Sequence, residues 1–219
     1  MKQNFAVIGL GRFGASVAKT LIDKGHEVLA IEKDEALVNS YSEGFTQLVQ
    51  ADTTDINVLK SVGVRNCDVA VVAIGSDIQA SIMTTLNLKE LGIEYIVAKA
   101  INSMHGKVLE KIGADRVVYP EMEMGERIAN SLVSKSLLDY IELTPEVSIR
   151  EILVERGFGE KSLSDLSFRD RFKVTIVLIK RINEINITPG GDACIKAGDV
   201  LFVLGRNGDL DRFEQQVSS

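Results

Sequence analysis

The sequence has few cysteines and no apolar stretch long enough to cross a membrane. Its two cysteines, Cys67 and Cys194, are far apart and have no CxxC partner, which favours buried thiols in a reducing compartment over a disulfide framework. A transmembrane helix needs about 20 apolar residues. The longest apolar run is VAVVAI at 69–74, which is typical of a buried strand.

An excess of basic residues is also absent. The formal net charge is −6, whereas a broad nucleic-acid-binding face needs a basic surface, so we expect no nucleic-acid partner. The amino-terminal MKQNFAVIG enters an apolar run at once and has no signal-peptide pattern. We therefore expect a cytoplasmic protein.

Proline is missing from the first 119 residues, where short apolar runs alternate with segments of helical spacing. Continuous runs rich in Val, Ile and Ala are typical of strands that are covered on both faces of a parallel sheet. Alternating strands and helices of this kind predict a Rossmann-like, doubly wound α/β fold. The six predicted strands cover residues 5–9, 27–32, 46–51, 68–75, 95–100 and 115–120.

The pattern changes after Pro120. The segment 121–143 predicts one long helix with an apolar stripe of Ile128, Leu132, Leu137 and Ile141, and Pro145 predicts a linker. Strands with few helices between them follow, and turn signals in PGGD and KAGD favour antiparallel pairing. The chain is therefore expected to hold an α/β domain over 1–138 and a small α+β domain over 139–219. The strands predicted in the second part cover residues 147–154, 173–181, 184–189 and 199–205.

The glycine-rich GLGRFG at 9–14 follows a predicted strand and precedes a predicted helix. In this context Gly9 permits a tight turn, Gly11 lets the backbone approach a phosphate, and Gly14 allows close packing of helix and strand. The helix amino terminus offers free N–H groups to the phosphates. Glu32 ends the second strand, where a carboxylate can accept both ribose hydroxyls. We expect an adenosine-containing nucleotide here, the alternative being a packing turn without a ligand.

The residues around this loop do not decide between ATP and NAD by themselves. Arg12 can reach a terminal phosphate, or it can be a solvated surface residue. Lys99 ends the fifth predicted strand, at the sheet edge where such folds bind ligands. Glu121 follows the sixth strand and can hold a cation or cap the next helix. Asp52 is a candidate for the adenine side, although the sequence DTTD favours helix capping.

A group for catalysis is hard to find. A dehydrogenase needs an acid or base beside the nicotinamide. The two histidines do not suit that role, because His26 lies in a turn before the second strand and His105 opens a helix, where we expect a surface or capping residue. The second domain has no histidine or tyrosine after residue 140. We therefore expect no enzyme but a sensor, with an NAD-linked oxidoreductase as the alternative.

Several segments along the whole chain resemble the regulatory subunits of bacterial Trk and Ktr potassium-uptake systems, which join an RCK (KTN) amino-terminal domain to a small RCK carboxyl-terminal domain. A single pair of domains is typical of the Ktr type. The segments that carry the resemblance are GLGRFGASVAKTL, AIEKD, ADTTD, VVAIGSDIQAS, AKA and KVLEKIGADRVVYPEMEMGERIA. The last of these is the most specific.

The resemblance implies dimers formed through the helix after the sixth strand, closed into an octameric ring beneath a potassium-translocating membrane subunit. The chain would then lie at the inner face of the membrane. ATP or ADP would bind the glycine loop and switch the ring shape, although NAD or NADH also occurs in the wider family. Glu121 would hold a cation (Mg²⁺, Ca²⁺ or Na⁺) with ATP. The implied nucleotide-binding residues are Gly9, Gly11, Arg12, Phe13, Gly14, Glu32, Lys33, Asp52, Thr53, Ile74, Gly75, Lys99 and Glu121.

The carboxyl-terminal domain resembles a receptor that binds cyclic di-AMP between two copies and thereby inactivates the transporter. Ser167 and Thr175 replace an Asp and an Asn of that pattern, and Phe168 replaces an aliphatic residue. Two interpretations of this segment therefore stay open, a cyclic di-AMP site and an ordinary strand-and-turn core. The residues implied for it are Phe168, Arg169, Thr175, Ile176 and Pro189.

Overall fold

The computed structural model describes residues 2–45, 47–133, 137–159, 161–182 and 184–217. The chain divides into two compact units between Met122 and Glu123. The domain boundary expected from the sequence lies later, after residue 138.

The first unit contains a six-stranded parallel sheet in the order β3-β2-β1-β4-β5-β6. This order is that of a doubly wound fold, so the fold class predicted for this part of the chain is confirmed. A 3₁₀ turn at Val64–Asn66 precedes β4. The elements are β1 (Asn4–Ile8), α1 (Arg12–Asp23), β2 (Glu27–Glu32), α2 (Glu35–Tyr41), β3 (Gln47–Gln50), α3 (Ile56–Ser61), β4 (Val69–Val72), α4 (Ile78–Glu90), β5 (Tyr95–Lys99), α5 (Ser103–Lys111) and β6 (Arg116–Val118). Helix α6 (Pro120–Val133) begins in this unit and continues into the second one.

Both faces of this sheet are covered, which explains the continuous apolar runs. Successive residues of β1 point to opposite faces: Ala6 and Ile8 pack in one core with Leu59 and Leu88, whereas Val7 packs in the other with helix α1. Ala6, Val7 and Ile8 are at most 2% exposed. Burial on both faces leaves the carboxyl ends of the strands as the open edge, where a ligand site is expected.

Side-chain caps start most helices of this unit. Asp34, Asp55, Asp77 and Asn102 accept backbone N–H groups at the starts of α2, α3, α4 and α5. Helix α1 is different, because no described side chain caps it at Gly11. Its first N–H groups are therefore available to a ligand.

The second unit contains a five-stranded antiparallel sheet in the order β10-β9-β11-β8-β7. Helices α7 and α8 cover one face, where the rings of Phe168, Phe172 and Phe213 meet in tilted or edge-to-face contacts with centroids 4.9–5.3 Å apart. The small α+β domain predicted from the turn signals is confirmed. The elements are β7 (Leu137–Thr144), β8 (Val147–Leu153), α7 (Phe168–Phe172), β9 (Thr175–Arg181), β10 (Glu184–Ile187), β11 (Val200–Arg206) and α8 (Asn207–Val217).

The single long helix predicted over 121–143 is wrong. Helix α6 ends at Val133, and the segment that carries Leu137 and Ile141 forms strand β7 instead. Pro145 is not a linker residue but lies in a two-residue turn between β7 and β8. The apolar spacing of 137–143 fits a helix, but pairing with six residues of β8 decides the outcome. Residues 134–136, between the helix and the strand, lie outside the described part.

A buried ion pair holds the ends of β9 and β11 together. Asp199 is 2% exposed and accepts Nε and Nη2 of Arg181 at 2.7 and 3.1 Å. It also accepts the N–H of Lys196 at 2.8 Å, while Arg181 donates to the carbonyl of Cys194. One carboxylate therefore ties the end of β9 to the start of β11 and to the loop that precedes β11.

The substitution Asp199→Asn should lower the free energy of unfolding by about 2–3 kcal/mol, because it removes the charge that Arg181 needs and places an amide donor against other donors. Urea denaturation of the full chain would measure this loss. The control is Glu184→Gln, since Glu184 is an exposed partner of the same arginine at 3.6 Å, and its loss should stay under about 0.5 kcal/mol. Equal losses for the two variants would contradict the prediction.

Candidate functional site

A cleft of about 800 Å³ lies at the carboxyl ends of β1, β2, β4 and β5. Its position agrees with the open edge of the parallel sheet. Of the residues expected to bind nucleotide, Gly14 is the one that does not line the cleft. The others do: Gly9, Gly11, Arg12, Phe13, Glu32, Lys33, Asp52, Thr53, Ile74, Gly75, Lys99 and Glu121.

The glycine loop has the geometry that its spacing predicts. Gly9 has a φ of +91°, which L side chains rarely adopt. A Cβ atom at Gly14 would lie 1.9 Å from the carbonyl oxygen of Gly9, so only glycine lets α1 approach this closely. A Cβ atom at Gly11 would meet no described protein atom within 4 Å. Gly11 therefore faces open space, as expected of a position that a phosphate approaches.

The carboxylate of Glu32 accepts three backbone N–H groups. Its Oε2 accepts Leu10 N–H at 2.6 Å, and its Oε1 accepts the N–H groups of Lys33 and Asp34 at 2.7 and 2.9 Å. These bonds tie the glycine loop to the start of α2. Since a carboxylate offers about four lone-pair sites, Oε2 can still accept a hydroxyl from the cleft.

Two cations and one carboxylate meet at the end of the cleft beside α1. Nζ of Lys99 lies 2.5 Å from Oε1 of Glu121, and the Lys99 side chain is 12% exposed. The same Nζ lies 5.9 Å from the centre of the Phe13 ring. The hydrogen bond from Lys99, with a smaller contribution from Arg12, lowers the pKa of Glu121 below its usual value. This end of the cleft therefore keeps a net positive charge and suits an anion.

A second ion pair lies on the other side of the cleft. Nζ of Lys33 is 2.7 Å from Oδ2 of Asp52. Asp52 also accepts the N–H and the hydroxyl of Thr54, and the bond from Lys33, followed by those from Thr54, lowers the pKa of Asp52 to about 2. The expectation that Asp52 caps the next helix is wrong, because Asp55 accepts the N–H of Asn57 at the start of α3. Asp52 instead stabilises the turn that lines the cleft.

Neither histidine lines the cleft. His26 packs edge-on against Phe5 with ring centroids 5.1 Å apart. His105 was expected to be a surface or capping residue, which is wrong, because it is 3% exposed and Asn102 caps α5. Burial lowers the pKa of His105. Within the described ranges, no three His, Cys, Asp or Glu side chains gather as a metal site.

The cleft also contains residues that were not predicted from the sequence. Ser76, Asp77 and Ala80 line it where α4 begins, and Ile101 lines it just after β5. The signal that could have identified Ser76 and Asp77 is their place directly after a buried strand, at the same sheet edge as the glycine loop. Ala80 and Ile101 carry no chemical signal.

A smaller cleft of about 390 Å³ lies in the second unit. Four of the five residues expected to bind cyclic di-AMP line it, namely Phe168, Arg169, Ile176 and Pro189. Thr175 stands beside Ile176 in β9 but does not line the cleft. The remaining lining residues are Leu163, Ser164, Ser167, Asp170, Gly190 and Gly191.

The parallel sheet and its glycine loop define the first unit as a Rossmann-type domain of the nucleotide-binding class, followed by a small antiparallel domain. Residues 5–120 match the TrkA-N domain and residues 151–218 match the TrkA-C domain. The chain belongs to the family of proteins that combine these two domains, and the resemblance proposed from its motifs is confirmed.

Full-length relatives are named for potassium uptake. The chain is 48% identical over 217 residues to the Ktr system potassium uptake protein C of Bacillus subtilis (strain 168), a match that covers 99% of this chain and 98% of that protein. It is 47% identical to protein A of the same system and organism, over 98% of this chain and 96% of the relative. The Ktr system potassium uptake protein A of Vibrio alginolyticus is 35% identical, with coverage of 93% and 92%.

Solved structures with the same fold include the GsuK RCK domain, with a TM-score of 0.69 at 18% identity, and the GsuK channel, with a TM-score of 0.70 at 18% identity. All of this chain is covered, but it spans 48% and 40% of the length of those two chains. In the described part of the chain, no helix is long and apolar enough to span a membrane.

The substitution Gly14→Ala should lower the free energy of unfolding by more than about 3 kcal/mol, because the new methyl group would overlap a backbone carbonyl that cannot move aside. Thermal or urea unfolding would measure the change. Gly11→Ala is the matched control, since its methyl group enters open space and should cost about 1 kcal/mol or less. A stable Gly14→Ala variant would contradict the packing role of Gly14.

Proposed function

We propose that this protein is a nucleotide-binding regulatory subunit that controls potassium flux through a membrane subunit. The observation that carries the proposal is the gathering of Arg12, Lys99 and Glu121 beside the uncapped start of α1. Two cations at a helix amino terminus suit a chain of phosphates. The names of the full-length relatives support the potassium-uptake role.

ATP and ADP are the ligands that we propose for this cleft. The phosphates would lie over Gly11 and the first turn of α1, with Arg12 at the terminal phosphate. The ribose would lie at Glu32, whose charge disfavours a 2′-phosphate, and the adenine would lie between Lys33 and Thr53. ATP carries one more phosphate than ADP, so Arg12 and Lys99 would meet different charges with the two ligands. This difference can shift a conformational equilibrium.

Glu121 is the one acidic side chain that pairs with Lys99 at this end of the described cleft, and we propose that it holds a cation together with ATP. A single carboxylate is a poor site for Mg²⁺, Ca²⁺ or Na⁺ by itself. It becomes a reasonable ligand when phosphate oxygens supply the other contacts. Glu121 is ionised at neutral pH, and the hydrogen bond from Lys99 lowers its pKa further, so the carboxylate is available to a cation.

We propose further that the chain works as a homo-oligomer, a ring of dimers, docked on an integral-membrane subunit at the inner face of the membrane. The apolar side chains of Met124, Ile128 and Leu132 lie at i, i+4 and i+8 on α6 and are 49, 51 and 78% exposed. An exposed apolar helix face of this kind is typical of a protein–protein contact. Ring closure would let nucleotide occupancy change the spacing of the docked copies.

A role as an NAD(H)-responsive sensor is the second candidate. A structural neighbour is the GsuK channel bound to NAD, and another is GsuK bound to ADP. Glu32 suits the adenosine ribose of either ligand. An NAD-linked oxidoreductase has less support, because neither histidine lines the cleft, and we propose that the chain is not an enzyme.

The smaller cleft is our proposed site for cyclic di-AMP, which would inhibit the transporter. Arg169 offers a cation to the phosphates, and Phe168, Ile176 and Pro189 offer apolar surface to the bases. Thr175, which replaces the family's asparagine, does not line this cleft.

Arg12→Ala should lower the affinity for ATP about 10- to 100-fold and the affinity for ADP by less than about threefold, because one charge-assisted contact to the terminal phosphate is lost. Isothermal titration calorimetry with ATP, ADP, NAD and NADH on the wild type and the variant would test this. The control is Arg65→Ala, which changes an exposed arginine in the 3₁₀ turn that does not line the cleft. Tight NADH binding without affinity for ATP would overturn the ATP proposal. If Arg12→Ala loses equal affinity for ATP and ADP, Arg12 does not contact the terminal phosphate.

Arg169→Ala should abolish cyclic di-AMP binding, whereas Thr175→Asn, which restores the family residue, should leave it within about threefold because position 175 faces away from the cleft. Calorimetry or a fluorescent-ligand assay would measure both. Arg171→Ala is the matched control, since Arg171 lies in the same helix over the ring of Phe172. If Arg169→Ala and Arg171→Ala bind cyclic di-AMP equally well, the smaller cleft is not its site.

A further inference from the structure

Helix α4 buries a polar face where an apolar one would pack more simply. Ser81, Thr84 and Thr85 are 0% exposed and Asn87 is 6% exposed. Buried hydroxyl and amide groups cost free energy unless they find hydrogen-bond partners. The partners of Thr84 and Asn87 therefore indicate what this face does.

Thr84 and Asn87 both bond to the two residues before Asp55, which caps α3. The hydroxyls of Thr84 and Thr53 lie 2.7 Å apart. Nδ2 of Asn87 donates to the carbonyls of Thr53 and Thr54 at 3.3 and 2.9 Å. Three hydrogen bonds from α4 thus converge on a two-residue segment.

This segment belongs to the wall of the large cleft. Thr53 and Asp52 line it, and Thr54 donates its N–H and its hydroxyl to Asp52 at 3.0 and 2.7 Å. Asp52 in turn pairs with Lys33, which lies just after β2. A continuous series of bonds therefore runs from Asn87 to Lys33.

The glycine loop is held by different groups. Glu32 accepts Leu10 N–H, and the carbonyl of Ile31 accepts the N–H of Gly9 at 2.8 Å. Neither bond involves α4. The 52–54 segment is bonded to β2 as well, since Ala51 N–H donates to the carbonyl of Glu32 at 2.9 Å, but the bonds to Thr53 and Thr54 from outside the segment come from α4.

We propose that Asn87 and Thr84 are positioning residues for the adenine side of the nucleotide site. Neither lines the cleft. They fix the 52–54 segment, and through it Asp52 and Thr53, in the arrangement that receives the base. This inference rests on the proposed function for the identity of the ligand, but not for the positioning of the segment itself.

The test uses Asn87→Leu and Thr84→Val in the full chain, which both keep the number and branching of the side-chain heavy atoms. Hydrogen exchange without ligand should be about tenfold faster over residues 51–56 in Asn87→Leu and unchanged over residues 9–14. Calorimetry should show that Asn87→Leu lowers the affinities for ATP and ADP by the same factor, about tenfold. Thr84→Val should lower both affinities by less. Inorganic tripolyphosphate, which has no base, should bind each variant as it binds the wild type.

The control is Thr85→Val. Thr85 is as buried as Thr84 in the same helix, but its hydroxyl donates to the carbonyl of Ser81 and not to the 53–54 segment. It should leave both readouts within about twofold of the wild type. Unchanged exchange over 51–56 in a folded Asn87→Leu variant, or equal acceleration over 9–14, would overturn the positioning role.

The two readouts also separate this inference from the proposed function. If the wild type binds no adenosine nucleotide, the proposed function fails, while the exchange measurement still decides whether α4 holds the segment. If the wild type binds ATP and Asn87→Leu binds it equally well, the positioning role is overturned and the proposed function stands.

Discussion

The close approach of Gly14 to the carbonyl of Gly9 is the constraint on which the large cleft depends. It sets the amino end of α1 directly against the end of β1, so that the first turn of the helix opens toward the carboxyl edge of the sheet. Any side chain at this position would push the helix away from the end of β1. The bonds of Glu32 to the loop then fix the turn in this position. Binding groups elsewhere in the cleft are useful only because this contact has already placed the helix.

The binding groups at the two ends of the cleft come from different helices and strands. Helix α1 and the ends of β5 and α6 supply the charges at one end, while β2 and the segment after β3 supply the polar groups at the other. Under the proposed function, the first set distinguishes ligands by their phosphates and the second by their nucleoside. Because different elements support the two sets, a change at one end need not disturb the other. A regulatory protein benefits from this arrangement, since it can respond to the terminal phosphate while it keeps its hold on the adenosine.

Sequence patterns predicted the parts of the structure that rest on local rules. The six parallel strands follow from apolar runs, and the glycine loop follows from the backbone geometry that only glycine allows. Leu137 and Ile141 were misassigned because their spacing fits a helix, and the antiparallel partner that makes them a strand begins only after Pro145. His105 and the polar face of α4 were missed for a related reason. Whether a histidine or a threonine is buried depends on neighbours that lie far away in the sequence, and periodicity carries no information about them.

The ion pair between Lys99 and Glu121 makes anion binding an exchange of partners. An incoming anion does not meet a bare ammonium group but one that already has a carboxylate beside it. A ligand with a single negative charge gains little by replacing that carboxylate, whereas one with several charges can satisfy Lys99 and Arg12 together. Free phosphate and small carboxylic acids, which are abundant in cells, would therefore compete poorly. Because the positive charge is already partly balanced, occupancy should also vary less with ionic strength than it would for two unpaired cations.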